Sequence, residues 1–286
     1  VGEPGPAAPL APGLTERVLA KLELRERPAA DLDSLGTLYE AWCRQVPFDN
    51  VRKLIALRAG PSVPLPGREP AAFFEDWLAH GTGGTCWAGN GALHALLRTV
   101  GFASVRGVAT MLVNADARAN HGTVLVTCED QRYLLDASIL HGAPLPLEQI
   151  ATRPARDAPW TARARLQEAH WIIRWRPLHL PTGLECRIEW LDATHESFQA
   201  LYEKTRPWSP FNYALYARRN RADAVIGVAF GRRVAFSADG AIHEAPVDAR
   251  ERIRVLVEEI GISEALAQTL PPDAPIPPAP GAAAAP

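Results

Sequence analysis

Apolar positions recur at helical spacing through the first third of the chain and alternate at strand spacing through the middle. From about Leu32 to Gln45, Leu35, Leu38, Tyr39 and Trp42 form an i, i+3, i+4, i+7 stripe, which predicts a helix packed on a core. Leu14 to Leu24 carries a shorter stripe, with Thr15 as its cap. Arg58 to Pro70 contains four prolines and reads as a loop, and Pro70 to His80 reads as a short helix. The turn Gly81-Thr82-Gly83-Gly84-Thr85 follows. Beyond it Trp87, Ala92, Leu93, Leu96, Leu97 and Val100 return at helical spacing until Gly101.

The middle of the chain, about 103 to 190, is β-rich. Val105 to Val113, residues 121 to 128 and residues 132 to 139 are the strongest strands, and 170 to 176 and 184 to 191 are further ones. A long connection containing proline and arginine spans about 142 to 168. The last block mixes types. Ala193 to Thr205 reads as a helix, and Phe211 to Arg218, Ala224 to Phe230, Arg233 to Ser237 and Ala241 to Ala245 read as extended. Asp248 caps a helix running to about Ile260, with Gly261 at its end. Residues 1–13 and 271–286 are rich in alanine, proline and glycine, and are expected to be disordered tails.

Composition narrows the function classes. The chain has 286 residues, 47% hydrophobic and 22% charged, as a globular protein does. A net charge of −2 makes no case for nucleic acid or an anionic membrane surface as a partner. No apolar run approaches the ~18–20 residues of a membrane span, and no leader pattern opens the chain, so a cytoplasmic protein is expected. Cys43, Cys86, Cys128 and Cys186 are scattered, with no paired or zinc-finger spacing. Neither a disulfide framework nor a metal is expected, and Cys43, Cys128 and Cys186 read as packed thiols.

Cys86 differs from the other three. It sits at the first turn of a predicted buried helix, directly after the glycine-rich turn. Free N–H groups and the helix dipole favour negative charge there, and the same N–H groups suit an oxyanion. Two partners follow on a predicted hairpin. His121 begins one strand, Glu129-Asp130-Gln131 is turn-like, and Asp136 lies on the return strand among Leu134, Leu135 and Ala137. A pairing in which residue numbers sum to 259 makes His121 and Asp136 diagonal neighbours on one face. A one-residue slip would separate them. Cys86, His121 and Asp136 are therefore the candidate catalytic residues, as nucleophile, base and orienting carboxylate. His94 reads as structural. The arginines Arg218, Arg219 and Arg221 read as a solvated face, with coenzyme phosphates as the alternative.

These residues resemble the arylamine N-acetyltransferase family. Gly83, Gly84, Cys86 and Asn90 match its Arg-Gly-Gly-x-Cys-x-Glu-x-Asn motif, and the separation 136 − 121 = 15 matches its histidine-to-aspartate spacing. Val46-Pro47-Phe48-Asp49-Asn50 is similar to its Pro-Phe-Glu-Asn element, and Ser209-Pro210-Phe211 and the Pro-Leu stretch at 144–147 are similar to later segments. The resemblance covers about residues 14 to 270 and implies an α+β fold with a cysteine-protease or transglutaminase-like core. It implies a helical domain over 14–101 carrying Cys86, a β-barrel-like domain over 102–191 carrying His121 and Asp136, and an α/β lid over 192–270. It also implies ping-pong transfer of an acetyl group from acetyl-coenzyme A, through an acyl-cysteine, to an arylamine or hydrazine. The chain departs from the pattern at Thr82 for arginine and Ala88 for glutamate, two family residues expected to pair as ions. It also has Ala137-Ser138-Ile139-Leu140 where the family has Val-Gly-Phe-Gly. Amide synthases that do not use coenzyme A, or a transglutaminase-like enzyme, are the alternative reading. A non-catalytic binding protein on this scaffold is the third.

Overall fold

The computed structural model describes residues 9–114, 116–148 and 158–280. Five helices open the chain: α1 (Pro12–Lys21), α2 (Leu32–Gln45), α3 (Val51–Ala59), α4 (Pro70–His80) and α5 (Cys86–Val100). The α2 start is set by Asp31, whose carboxylate accepts from the Ser34 amide at 2.8 Å. The predicted stripe Leu35, Leu38, Tyr39 and Trp42 is fully buried, and Trp42 stacks on Phe73 of α4 at 6.0 Å. Between α2 and α3 lies the two-residue strand β1 (Phe48–Asp49).

Seven strands follow: β2 (Ala103–Met111), β3 (His121–Cys128), β4 (Gln131–Leu135), β5 (Leu145–Pro146), β6 (Arg163–Gln167), β7 (His170–Trp175) and β8 (Leu184–Leu191). They form one antiparallel sheet in the order β5-β4-β3-β2-β8-β7-β6. Its edge strands β5 and β6 come into contact, so the sheet curls toward closure as a barrel. One face of β2 and β3 is covered by α5. The other face, with Leu125, packs inside the curled sheet, so β3 is buried at every position but Thr127.

The last part contains α6 (His195–Glu203), a 3₁₀ turn (Pro210–Asn212), and strands β9 (Tyr216–Asn220), β10 (Ala224–Ala229), β11 (Arg232–Ser237) and β12 (Ile242–Pro246). A second sheet runs β1-β9-β10-β11-β12, so the N-terminal block supplies its first strand. Helix α7 (Ala249–Arg254) widens into a π-helical stretch (Val255–Ile260), and α8 (Glu264–Ala267) ends the regular structure. No helix among the described residues is long and apolar enough to cross a membrane.

Five sequence expectations change. The expected connection over 142–168 holds two strands, β5 and β6, each paired into the seven-stranded sheet. Helix α3 was not foreseen. The return strand ends at Leu135 rather than 139, because Asp136 turns the chain with its own carboxylate. Pro210–Asn212 is a 3₁₀ turn, so extended structure begins at Tyr216 and not Phe211. Both expected tails are partly ordered. Leu10 is buried and α1 starts at Pro12. Asp273 accepts from the Leu215 amide at 2.8 Å and pairs with Arg252 at 3.0 Å, and the Pro277 carbonyl accepts from Trp208 at 3.2 Å. The rest of the tail expectation, residues 1–8 and 281–286, and part of the 142–168 connection, residues 149–157, lie outside the described residues.

Candidate active site

Cys86 is the first residue of α5, preceded by Thr85 in an extended conformation (φ −76°, ψ 174°). The glycine-rich turn before it is clamped to β1. The Gly83 amide donates to the Asp49 carboxylate at 2.7 Å, and a Cβ on Gly83 would lie 1.8 Å from the Pro47 carbonyl oxygen. Only glycine allows that approach. The first intrahelical amide bond is Gly89 to Thr85 at 2.9 Å, so the amides of Cys86, Trp87 and Ala88 precede it in the first turn of the helix.

His121 starts β3 and Asp136 follows β4. The connection is the two-residue turn Glu129-Asp130, both in the left-handed region (φ 51° and 61°), as a type I′ hairpin requires. The ladder pairs Val124 with Leu135 and Cys128 with Gln131, both summing to 259. His121 Nε2 lies 2.8 Å from Asp136 Oδ2, and both side chains are buried. With Nε2 held by Asp136, Nδ1 is the ring nitrogen left for the Cys86 thiol, whose charge acts on the imidazole. The structure thus brings all three candidate residues together.

Charge in this cluster is strongly coupled. Burial pushes the His121 imidazole down, but the Asp136 charge, then the Cys86 charge and hydrogen bonds to both, raise it to about 10. Burial pushes the Asp136 carboxyl up. The His121 charge and hydrogen bond, with the Ile139 amide and Ser138, outweigh that and hold it below the usual carboxylate range. Asp136 Oδ1 accepts from the Ser138 amide at 2.9 Å, the Ser138 hydroxyl at 2.7 Å and the Ile139 amide at 2.9 Å. Tyr39 holds the backbone of the same residue, donating to its carbonyl at 2.9 Å and accepting from its amide at 3.0 Å.

Three contributors escaped the sequence reading. Tyr39 read only as core. Ser138 read as strand. Lys53 sits on the unforeseen α3, buried, with Nζ donating to Thr205 at 3.0 Å over the Tyr202 ring. Burial pulls Lys53 down to about 8, against the charge of Cys86, which raises it. A lysine in the apolar stretch Val51–Ala59 was the one available signal.

The expected partnership of positions 82 and 88 is replaced by another. Thr82 donates to both Asp49 oxygens, at 3.0 and 3.2 Å, while Ala88 packs against Gly67 and Gly84. Burial raises Asp49 to about 6, with hydrogen bonds from Gly83, Val51 and Thr82 opposing it. The arginine run is not a solvated face. Arg218 is buried, Arg219 donates to the Arg44 and Ile260 carbonyls at 2.9 and 2.7 Å, and Arg221 donates to the Glu259 carbonyl. None of the three is free on the surface for coenzyme phosphates. His94, as expected, is structural: Nδ1 bonds the Ser104 hydroxyl at 3.0 Å, and burial, with Arg106 and Arg98, lowers it to about 3.

Comparison with known proteins gives a consistent picture. A family model described as N-acetyltransferase matches residues 31–268. The arylamine N-acetyltransferase of Mycolicibacterium smegmatis is 26% identical over 261 residues, covering 85% of this chain and 90% of that protein. Among solved structures, the arylamine N-acetyltransferase of Salmonella typhimurium superposes with a TM-score of 0.75 at 19% identity, covering 91% of this chain and 98% of that one. The Mycobacterium marinum arylamine N-acetyltransferase in complex with CoA superposes with a TM-score of 0.74 at 17% identity, covering 88% and 96%.

Proposed function

Because this chain belongs to the arylamine N-acetyltransferase family of transferases, we propose that it moves an acetyl group from acetyl-coenzyme A to an arylamine or hydrazine through an acyl-Cys86 intermediate. The observation that carries this reading is the buried chain Cys86–His121–Asp136, with 2.8 Å between the last two. Cys86 sulfur attacks the thioester carbonyl and forms a carbon–sulfur bond. The oxyanion faces the first amides of α5. The coenzyme's carbon–sulfur bond breaks, and its thiolate leaves with the proton from His121. The acceptor amine then attacks the acyl-cysteine, His121 takes the amine proton, and Cys86 leaves as the thiolate. Asp136 fixes the imidazole tautomer and stabilises the imidazolium. The coenzyme as donor is supported by the relative whose structure is a complex with CoA.

The departures at Thr82, Ala88 and 137–140 favour a second reading, an amide-forming enzyme with the same triad and a donor other than coenzyme A. Intact-mass spectrometry after incubation with acetyl-coenzyme A separates the two. The first reading expects one acetyl increment on the wild type, none on Cys86→Ala, and its removal by an arylamine. An acetyl group on another cysteine, or none on a protein whose Cys86 reacts rapidly with iodoacetamide, overturns it.

A further inference from the structure

Arg218 on β9 is 1% exposed, and none of its three guanidinium nitrogens has a hydrogen-bond partner among the described residues. Nor does any described carboxylate lie within ion-pair distance. Its guanidinium carbon lies 5.4 Å from the Trp175 ring, and Tyr216, Cys43, Tyr39 and Asp136 lie near enough to act on its charge. Arginine stays protonated in proteins, so its charge must be compensated by another charge or by strong hydrogen bonds.

The atoms around it share this condition. Trp175 Nε1, Asn220 Oδ1 and His141 Nε2 are also buried without a hydrogen-bond partner among the described residues. Asn220 is two residues beyond Arg218 on the same face of β9, and its Nδ2 donates to the Leu140 carbonyl at 2.6 Å. His141 follows Leu140 and packs on the Tyr39 ring at 4.9 Å. Its Nδ1 donates to the Ala143 carbonyl at 2.8 Å, which leaves Nε2 as an acceptor on a neutral ring. The cluster therefore lies directly behind the 136–141 turn. It presents the guanidinium N–H fork and one indole N–H as donors, and two acceptors suited to hydration of whatever the donors hold.

We propose that Arg218 and Trp175 form a buried site for a small monovalent anion behind the turn that carries Asp136. The charge of Asp136 acts on Arg218, but its oxygens accept from His121, Ser138 and Ile139 and take no hydrogen bond from the guanidinium. Arg218, Trp175, Asn220 and His141 are all buried, so the proposed occupant is of halide size. This inference stands on the cluster alone and does not depend on the acyl donor or acceptor.

Bromide is the probe. Crystals of the full chain grown in sodium gluconate and soaked in sodium bromide are expected to show an anomalous peak between the Arg218 guanidinium and the Trp175 indole nitrogen. Water in that position, with bromide only at the surface, overturns the proposal. In solution, bromide replacing gluconate at equal ionic strength is expected to raise the thermal midpoint saturably for the wild type and not for Arg218→Met. Equal shifts in both proteins overturn it. If Arg218→Met does not fold, Trp175→Phe keeps an aromatic ring at the position and removes the indole N–H donor. Its bromide affinity is then expected to fall about tenfold, and an unchanged affinity overturns the site.

Discussion

Asn90 is bonded to both strand ends of the triad at once. Its Nδ2 donates to the Gly122 carbonyl at 2.6 Å, and its Oδ1 accepts from the Ala137 amide at 2.9 Å. Asn90 lies one helical turn beyond Cys86 on α5. One side chain therefore ties the helix of the nucleophile to the residue after His121 and the residue after Asp136.

Replacing Asn90 with alanine leaves a buried carbonyl and a buried amide without partners. The expected cost is about 1–3 kcal/mol of stability. A triad displaced by a fraction of an ångström is expected to lose acyl transfer by about 10²-fold. Urea titration and single-turnover kinetics read the two effects. Unchanged turnover in a destabilised protein would reduce Asn90 to a packing role.

Asp136→Asn is expected to lower transfer on the order of 10⁴-fold, the cost of the same exchange in a serine triad, and to lose the stability that the buried ion pair with His121 contributes. The donors Ser138 N, Ser138 Oγ and Ile139 N all point at Oδ1, so an asparagine must put its oxygen there. Its NH₂ then faces His121 Nε2, where the carboxylate now accepts. Nε2 must become the bare nitrogen, and the proton moves to Nδ1, opposite Cys86. A base with its proton on the wrong side cannot take one from the thiol. Activity retained within tenfold would remove Asp136 from the orienting role.

The His121 shift carries a pH signature. Its folded value is raised from the usual 6.5 to about 10, so the folded protein binds the proton more tightly than the unfolded chain. The stability this contributes is fully present below about pH 6.5 and is lost as pH rises through about 10. Asp136 is held low, so its contribution is present above the ordinary aspartate value near 3.9 and is lost as pH falls through the folded value. The stability gap between wild type and His121→Gln should therefore shrink steadily from near-neutral pH toward about 10. Urea unfolding across that window measures it, and a gap that widens would contradict the imidazolium.

Much of the site was legible because it rests on local rules. Helices α2, α4 and α5 begin and end where periodicity and the Gly-rich turn place them, and β3 spans the predicted residues 121–128. The two-residue hairpin turn then determines which face His121 and Asp136 share. What escaped depends on distant partners. Helix α3 has no side-chain cap, because Asn50 Oδ1 accepts from the Tyr216 amide while its Nδ2 donates to the Phe211 and Ala214 carbonyls far along the chain. The segment 271–280 is ordered by Leu215, Arg252 and Trp208, which no local composition reveals. The Asp136 turn looks like strand by hydropathy, and only a carboxylate that captures its own following amides ends it.

Leu140 offers the sharpest test of how this chain replaces the glycines of the family pattern. It lies in the left-handed region at φ 51°, where a side chain costs about 1–2 kcal/mol. It is nevertheless fully buried in the main core, with its amide bonded to the Asp136 carbonyl at 3.0 Å and its own carbonyl to Asn220. Burial of the isobutyl group offsets the strain, and truncation to alanine in a core typically costs about 2–5 kcal/mol. Leu140→Ala keeps the strain and loses the packing. Leu140→Gly loses the packing but relieves the strain, and should be destabilised by roughly 1 kcal/mol less than the alanine variant. The order wild type, then glycine, then alanine is unusual for a buried position, where glycine is normally the worse substitution. Urea midpoints for the three proteins establish it. Alanine above glycine would mean that the turn behind Asp136 carries no left-handed strain, and that Leu140 is held there by packing alone.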